Sequence, residues 1–121
     1  MKYTRIYPDA DRETHYEEIE EDSKVTEIAP SALMALSKPS SASSVFFADI
    51  RVGYTDDFHP PPQKFLVAVL AGEFKTSVSD GEARRFSAGD VVLLDDMDSK
   101  GHRSCAIGNA EVKLMFVGLA D

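Results

Sequence analysis

The chain is poor in cysteine, in basic residues and in long apolar runs, and each shortage removes a class of protein. Cys105 is the only cysteine among 121 residues, which excludes an internal disulfide and a cysteine-based zinc site. Lys and Arg number 13 against 21 Asp and Glu, a net charge of −8. With no basic cluster there is no footprint for phosphate, so nucleic acid is not expected as a partner. The longest unbroken apolar run, Phe65–Ala71, is far short of a membrane span, and Met1–Ala10 holds no apolar stretch of signal-peptide type. No glycine-rich phosphate loop occurs, and none of the serines sits in a nucleophile-elbow context. The expectation is a small cytoplasmic domain without membrane or nucleic-acid partners.

Apolar residues make up 43% of the chain, enough for one core in one domain. The acidity is uneven. Residues 1–27 hold nine acidic and four basic residues, a net of −5, and the other 94 residues carry −3. The run Glu17, Glu18, Glu20, Glu21 and Asp22 contains one aliphatic residue, Ile19, which argues against a core-facing helix and for a solvated face or a mobile arm. Residues 37–44 are a Ser-rich loop by composition. The organisation expected is one domain, with residues 1–43 as an N-terminal extension and residues 44–118 as the core unit.

From Ser44 onward the pattern is that of strands. Ser44–Val52 is rich in Val, Phe and Ile, and Lys64–Leu70 is a continuous apolar run that predicts burial on both faces. Glu73–Ser79 alternates, with Phe74, Thr76 and Val78 on one side, and Asp80-Gly81 marks a hairpin turn. Ala83–Ser87, Val91–Leu94, His102–Ile107 and Glu111–Val117 complete the set, and Val112, Leu114 and Phe116 share a face. Tyr3–Tyr7 and Lys24–Ala29 also suit extended chain. Short strands with frequent turn signals predict an all-β sandwich or barrel.

The residues suited to chemistry are two histidines. His59 lies six residues after Gly53 and precedes Pro60, Pro61 and Pro62, a stiff rim; His102 follows the Gly89-Asp90 turn and the strand after it. His15 lies in the acidic segment and reads as a surface residue. Cys105 is offset from His102 by three, which puts it on the opposite face of the strand, as a buried small residue rather than a nucleophile. The pairs Asp56-Asp57 and Asp95-Asp96 point to opposite faces if extended, so neither is a carboxylate dyad.

This arrangement resembles the cupin superfamily of small jelly-roll barrels. Gly53, His59 and Gly72 fall in register with its first motif, and Gly89-Asp90 with His102 matches its second, across a slightly longer loop. The stretch Glu82–Val92 looks like the segment that links them, and the resemblance covers residues 44–118. It implies an all-β, small jelly-roll (cupin-type) β-barrel and a homodimer in which an N-terminal strand pairs with the second subunit. It also implies a divalent metal, Fe, Mn, Ni or Zn, with His59 and His102 as the two ligands that carry over. Pro61 stands where the first motif has a second His, and Phe65 where it has Glu. A mononuclear site normally takes three or four protein ligands, so the expected state is without metal unless Asp56, Asp57, Gln63 or an acid among Asp95, Asp96 and Asp98 reaches the pair.

Three functions follow. The first is a small-molecule-binding protein in which His59, His102 and Gln63 meet a polar group of a small organic ligand, and Phe65 and Val67, with Val69, pack its apolar part. The second is a metal-dependent dioxygenase, isomerase or lyase built on His59 and His102. The third is a non-enzymatic dimeric scaffold.

Overall fold

The computed structural model describes residues 1–120. They form eleven strands: β1 (Lys2–Pro8), β2 (Thr14–Glu20), β3 (Ser23–Ala29), β4 (Ala32–Ser37), β5 (Ala42–Ile50), β6 (Phe65–Ala71), β7 (Glu73–Val78), β8 (Ala83–Ser87), β9 (Val91–Leu94), β10 (His102–Ile107) and β11 (Val112–Leu119). A six-stranded sheet runs β2-β1-β9-β6-β11-β5, a three-stranded sheet runs β10-β7-β8, and β3 and β4 pair only with each other. None of the described residues forms a helix long and apolar enough to cross a membrane.

The two larger sheets face each other across the core, in the jelly-roll manner. Alternation along each strand puts every second side chain inside. Phe65, Val67 and Val69 of β6 meet Phe74 and Val78 of β7, Phe86 of β8, Val92 of β9, and Val112 and Leu114 of β11. The opposite face of β6 departs from the sequence pattern: Leu70 is 52% exposed and Leu66 only half-buried, so this apolar run is covered on one side, not two.

Residues 1–43 are not one arm. Strand β1 lies inside the six-stranded sheet, parallel to β9 and antiparallel to β2, because Ile6 is fully buried and Tyr16 nearly so. The acidic run is therefore largely strand: Glu17, Glu18 and Glu20 belong to β2, where Glu18 and Glu20 face solvent while Glu17 and Asp95 bracket the Arg5 guanidinium at 2.5 and 2.8 Å. Only the β3–β4 hairpin projects from the body.

His15 is no ordinary surface histidine. Its Nε2 lies 2.7 Å from Asp9 and its Nδ1 2.8 Å from Asp80, which ties β2 to the turn between β7 and β8. The hydrogen bonds to Asp9, then Asp80, raise the pKa of His15, and the bond to His15 lowers that of Asp9. A raised histidine stabilises the fold fully below the free value of about 6.5 and loses that contribution as pH climbs through the higher folded value. Melting temperature should therefore fall modestly as pH rises above about 6.5, and His15→Gln should flatten that slope. An unchanged slope in the variant would remove the clamp from the stability of the fold.

Candidate functional site

A cavity of about 210 Å³ opens between the two large sheets. Its walls are mainly apolar, from Phe65 and Val67 of β6, Phe74 of β7, and Leu114 and Phe116 of β11, with Pro61 and Pro62 at the rim. Its polar lining is His59, His102, Asp56, Tyr54, Thr76 and Ser104. Phe65 is buried and packs edge-on against Phe46 and Phe116, with ring centroids 5.6 and 5.4 Å apart. The position where the cupin motif has a carboxylate is thus part of an aromatic wall.

The segment before the prolines is stitched to β10. His59 and His102 exchange backbone hydrogen bonds of 3.0 and 3.1 Å, as one antiparallel bridge. The pairing brings the two rings to a centroid distance of 5.3 Å, tilted by 47°. Gly101 makes this approach possible. Its φ is +76°, and a Cβ there would lie 2.1 Å from the carbonyl carbon and oxygen of His59. Residue 101 must be glycine for both reasons.

Each imidazole is held through Nδ1. The backbone carbonyl of Asp57 can only accept, so His59 Nδ1–H donates to it at 2.8 Å. His102 Nδ1–H donates to Asp96 Oδ2 at 2.7 Å, and both side chains are buried, Asp96 completely. The second Asp96 oxygen, Oδ1, is buried without a hydrogen-bond partner. With Nδ1 engaged on each ring, Nε2 is the nitrogen left for the cavity, and in the neutral imidazole it is an acceptor. The rest of the polar lining is satisfied internally. Asp56 accepts from Ser104 N at 2.7 Å and from Tyr54 O–H at 2.6 Å, and Ser104 and Thr76 share a 2.8 Å hydroxyl contact. The bond to Asp56 and burial push the Tyr54 phenol up to about 12, so it remains a donor.

Of the residues singled out in the sequence, His59, Phe65, Val67 and His102 come together at the cavity. Gln63 does not. It is absent from the lining, and its amide nitrogen is buried without a partner beside Gly118, where a Cβ would come within 2.0 Å of it. It directly follows the rim residue Pro62, and that step turns it to β11. Cys105 faces away from the cavity, as its offset from His102 requires, but it is half-buried rather than buried. Asp96, expected only as one of three acids that could reach the histidine pair as a ligand, instead holds His102 from its Nδ1 side, a role that strand periodicity does not address.

Asp56 is the acid in the cavity lining, and its oxygens accept from Ser104 N and Tyr54 O–H. Asp95 is held by Arg5, Asp98 is exposed beside Arg12, and Asp96 lies behind His102 on its Nδ1 side. Among the described residues no group of three or more His, Cys, Asp or Glu side chains is arranged to hold a metal ion. Two histidines, with phenylalanine at residue 65, do not make up the usual set of three or four ligands.

No family model matches the chain, and no curated protein matches it. Among solved structures it is similar to the cupin domain of Schizosaccharomyces pombe Cnp3, with 15% sequence identity, a TM-score of 0.50, and coverage of 84% of this chain and 86% of that one. The likeness is one of architecture, and it agrees with the two facing sheets: this chain is a small all-β domain of cupin fold.

Proposed function

We propose that the protein binds a small, largely aromatic or aliphatic organic molecule that donates one hydrogen bond, and that it does so without a metal. The observation that carries this reading is the pairing of an apolar cavity with two histidines whose Nδ1 atoms are both occupied behind them. Such rings offer fixed acceptors to a ligand hydroxyl or N–H, while Phe65, Val67 and Phe116 take its apolar body. The size is suitable: an apolar cavity of about 150 Å³ in another protein holds benzene. The aromatic wall at Phe65 and the missing third ligand support a metal-free site over a metal-dependent enzyme.

Phenol is the direct probe, with benzene as the control that lacks the donor. Titration calorimetry at about pH 8, where free imidazole is neutral, should show phenol binding more tightly than benzene. His59→Ala and His102→Ala should each weaken phenol by about tenfold, the worth of one buried hydrogen bond, and leave benzene nearly unchanged. Equal affinities for phenol and benzene would overturn the polar half of the reading, and no binding of either would overturn the whole. The same samples, loaded with Fe, Mn, Ni or Zn and analysed for metal, should hold no stoichiometric ion. One ion per chain, lost in both variants, would favour the metal-dependent alternative.

A further inference from the structure

The outer face of the three-stranded sheet carries a groove of about 470 Å³. Its floor follows from strand register. Arg103 pairs with Ser77 and Cys105 with Lys75 across β10 and β7, while Phe74, Thr76 and Val78 point into the core, so those four side chains share the outward face. Lys75 and Arg103 are diagonal neighbours, about 7–8 Å apart. Thr55, bridged to Cys105, adds a hydroxyl to the wall, and the Arg103 guanidinium lies 5.8 Å from the centroid of the Phe58 ring. The charge of this groove is opposite to that of the chain. Of 13 Lys and Arg, eight lie no more than 4.0 Å from a carboxylate oxygen. Lys24, Lys38, Arg51, Lys75 and Arg103 have no such partner among the described residues, and of these five Lys75 and Arg103 share the groove. No Asp or Glu among the described residues lines it. The acids of β7 and the turn after it, Glu73, Asp80 and Glu82, are turned to Arg85, His15 and Arg84. Lys75 and Arg103 stand far apart in the sequence, so the sequence shows no basic cluster and only the register makes one.

We propose that this groove binds a phosphate monoester of a small organic molecule, with the phosphate bridging Lys75 and Arg103 and the organic body lying against Phe58. A phosphate monoester carries a charge of about −1.5 to −2 at neutral pH, which matches two cations that no carboxylate neutralises. Arg103 can donate to it bidentately and Lys75 as a point charge, and the Thr55 and Ser77 hydroxyls are further donors at the same wall. The volume lies within the range of small-molecule sites. Two cations are too few for nucleic acid, whose binding needs many contacts along the backbone. The same ligand is unsuited to the apolar cavity, where an unpaired dianion would lose its hydration. This inference is therefore independent of what the cavity binds.

Cys105 is the only cysteine and lines the groove, so its alkylation by N-ethylmaleimide reports occupancy of this site. At low ionic strength phenyl phosphate should slow that reaction saturably, and phenol, the probe of the cavity, should not. Lys75→Gln and Arg103→Gln alter exposed side chains and should each raise the phenyl phosphate concentration for half-protection about tenfold, judged against the variant's own ligand-free rate. Lys24→Gln removes an exposed cation on β3, outside the groove, and should leave that concentration unchanged. Benzoate, with a single charge, should protect more weakly than phenyl phosphate. Absence of protection by phenyl phosphate would overturn the proposal. So would equal protection by phenol or benzoate, an unaltered half-protection concentration in either groove variant, or an equal loss in Lys24→Gln.

Discussion

Gly101→Ala is expected to be the most damaging single substitution in the site. Its φ of +76° is unfavourable for any residue with a Cβ, at about 1–2 kcal/mol. The added carbon would also fall 2.1 Å from the carbonyl of His59 and 2.4 Å from Pro60 N, neither of which is a side chain that can rotate away. The His59 segment would have to withdraw, breaking the two backbone bonds that pair it with His102. Backbone strain and overpacking together predict a loss of about 2–5 kcal/mol, read as a lower urea midpoint. Gly81→Ala is the internal control: φ there is +100°, but nothing lies within 4 Å of the new Cβ, so only the conformational part is lost. Equal losses at the two positions would show that the close approach at Gly101 contributes nothing.

Asp96→Ala should be nearly as severe, for an electrostatic reason. The variant leaves the Nδ1–H of a buried histidine without an acceptor and opens a void where the carboxylate was. Stranding one partner of a buried, hydrogen-bonded pair costs about 2–4 kcal/mol. Asp96→Asn keeps an acceptor for Nδ1–H and should recover part of that loss. The second effect separates positioning from stability. With Asp96 present, the proton of neutral His102 is fixed on Nδ1 and Nε2 is the acceptor; without it the ring is free to populate the other tautomer. Nitrogen chemical shifts of His102 should move toward a tautomer mixture in Asp96→Ala, and phenol affinity should fall about tenfold while benzene affinity holds. An unchanged His102 spectrum would reduce Asp96 to a packing residue.

Most of the strand pattern was legible because it rests on local chemistry. Ala83–Ser87, Val91–Leu94 and His102–Ile107 appear at the expected bounds, since each is a short apolar or alternating stretch closed by a turn. The inward row Phe74, Thr76 and Val78 followed from alternation alone. β1 was legible only as extended chain, and the acidic run of β2 read as a solvated face or a mobile arm rather than as a strand. Their membership of the main sheet depends on Ile6 and Tyr16 finding the core from a distance, and the acidic residues between them masked it. The apolar run of β6 predicted two covered faces, but the chain covers only one, because a continuous apolar stretch of strand length does not say how many layers pack against it.

At the site, the division follows the range of the interactions. The order of residues alone determined that two histidines stand at matching motif positions, that prolines stiffen the first of them, and that Pro61 and Phe65 replace two expected ligands. These are matters of residue type and spacing, which the covalent chain carries without folding. The tertiary structure decided which side chains meet. It brought His59 within 5.3 Å of His102 and set Asp96 behind the second ring. It made Phe65 a cavity wall and turned Gln63 toward Gly118. Each of these depends on strand register and on a turn that reverses the chain, where a shift of one residue exchanges the inner and outer faces, and only the packing of the whole core selects among those registers.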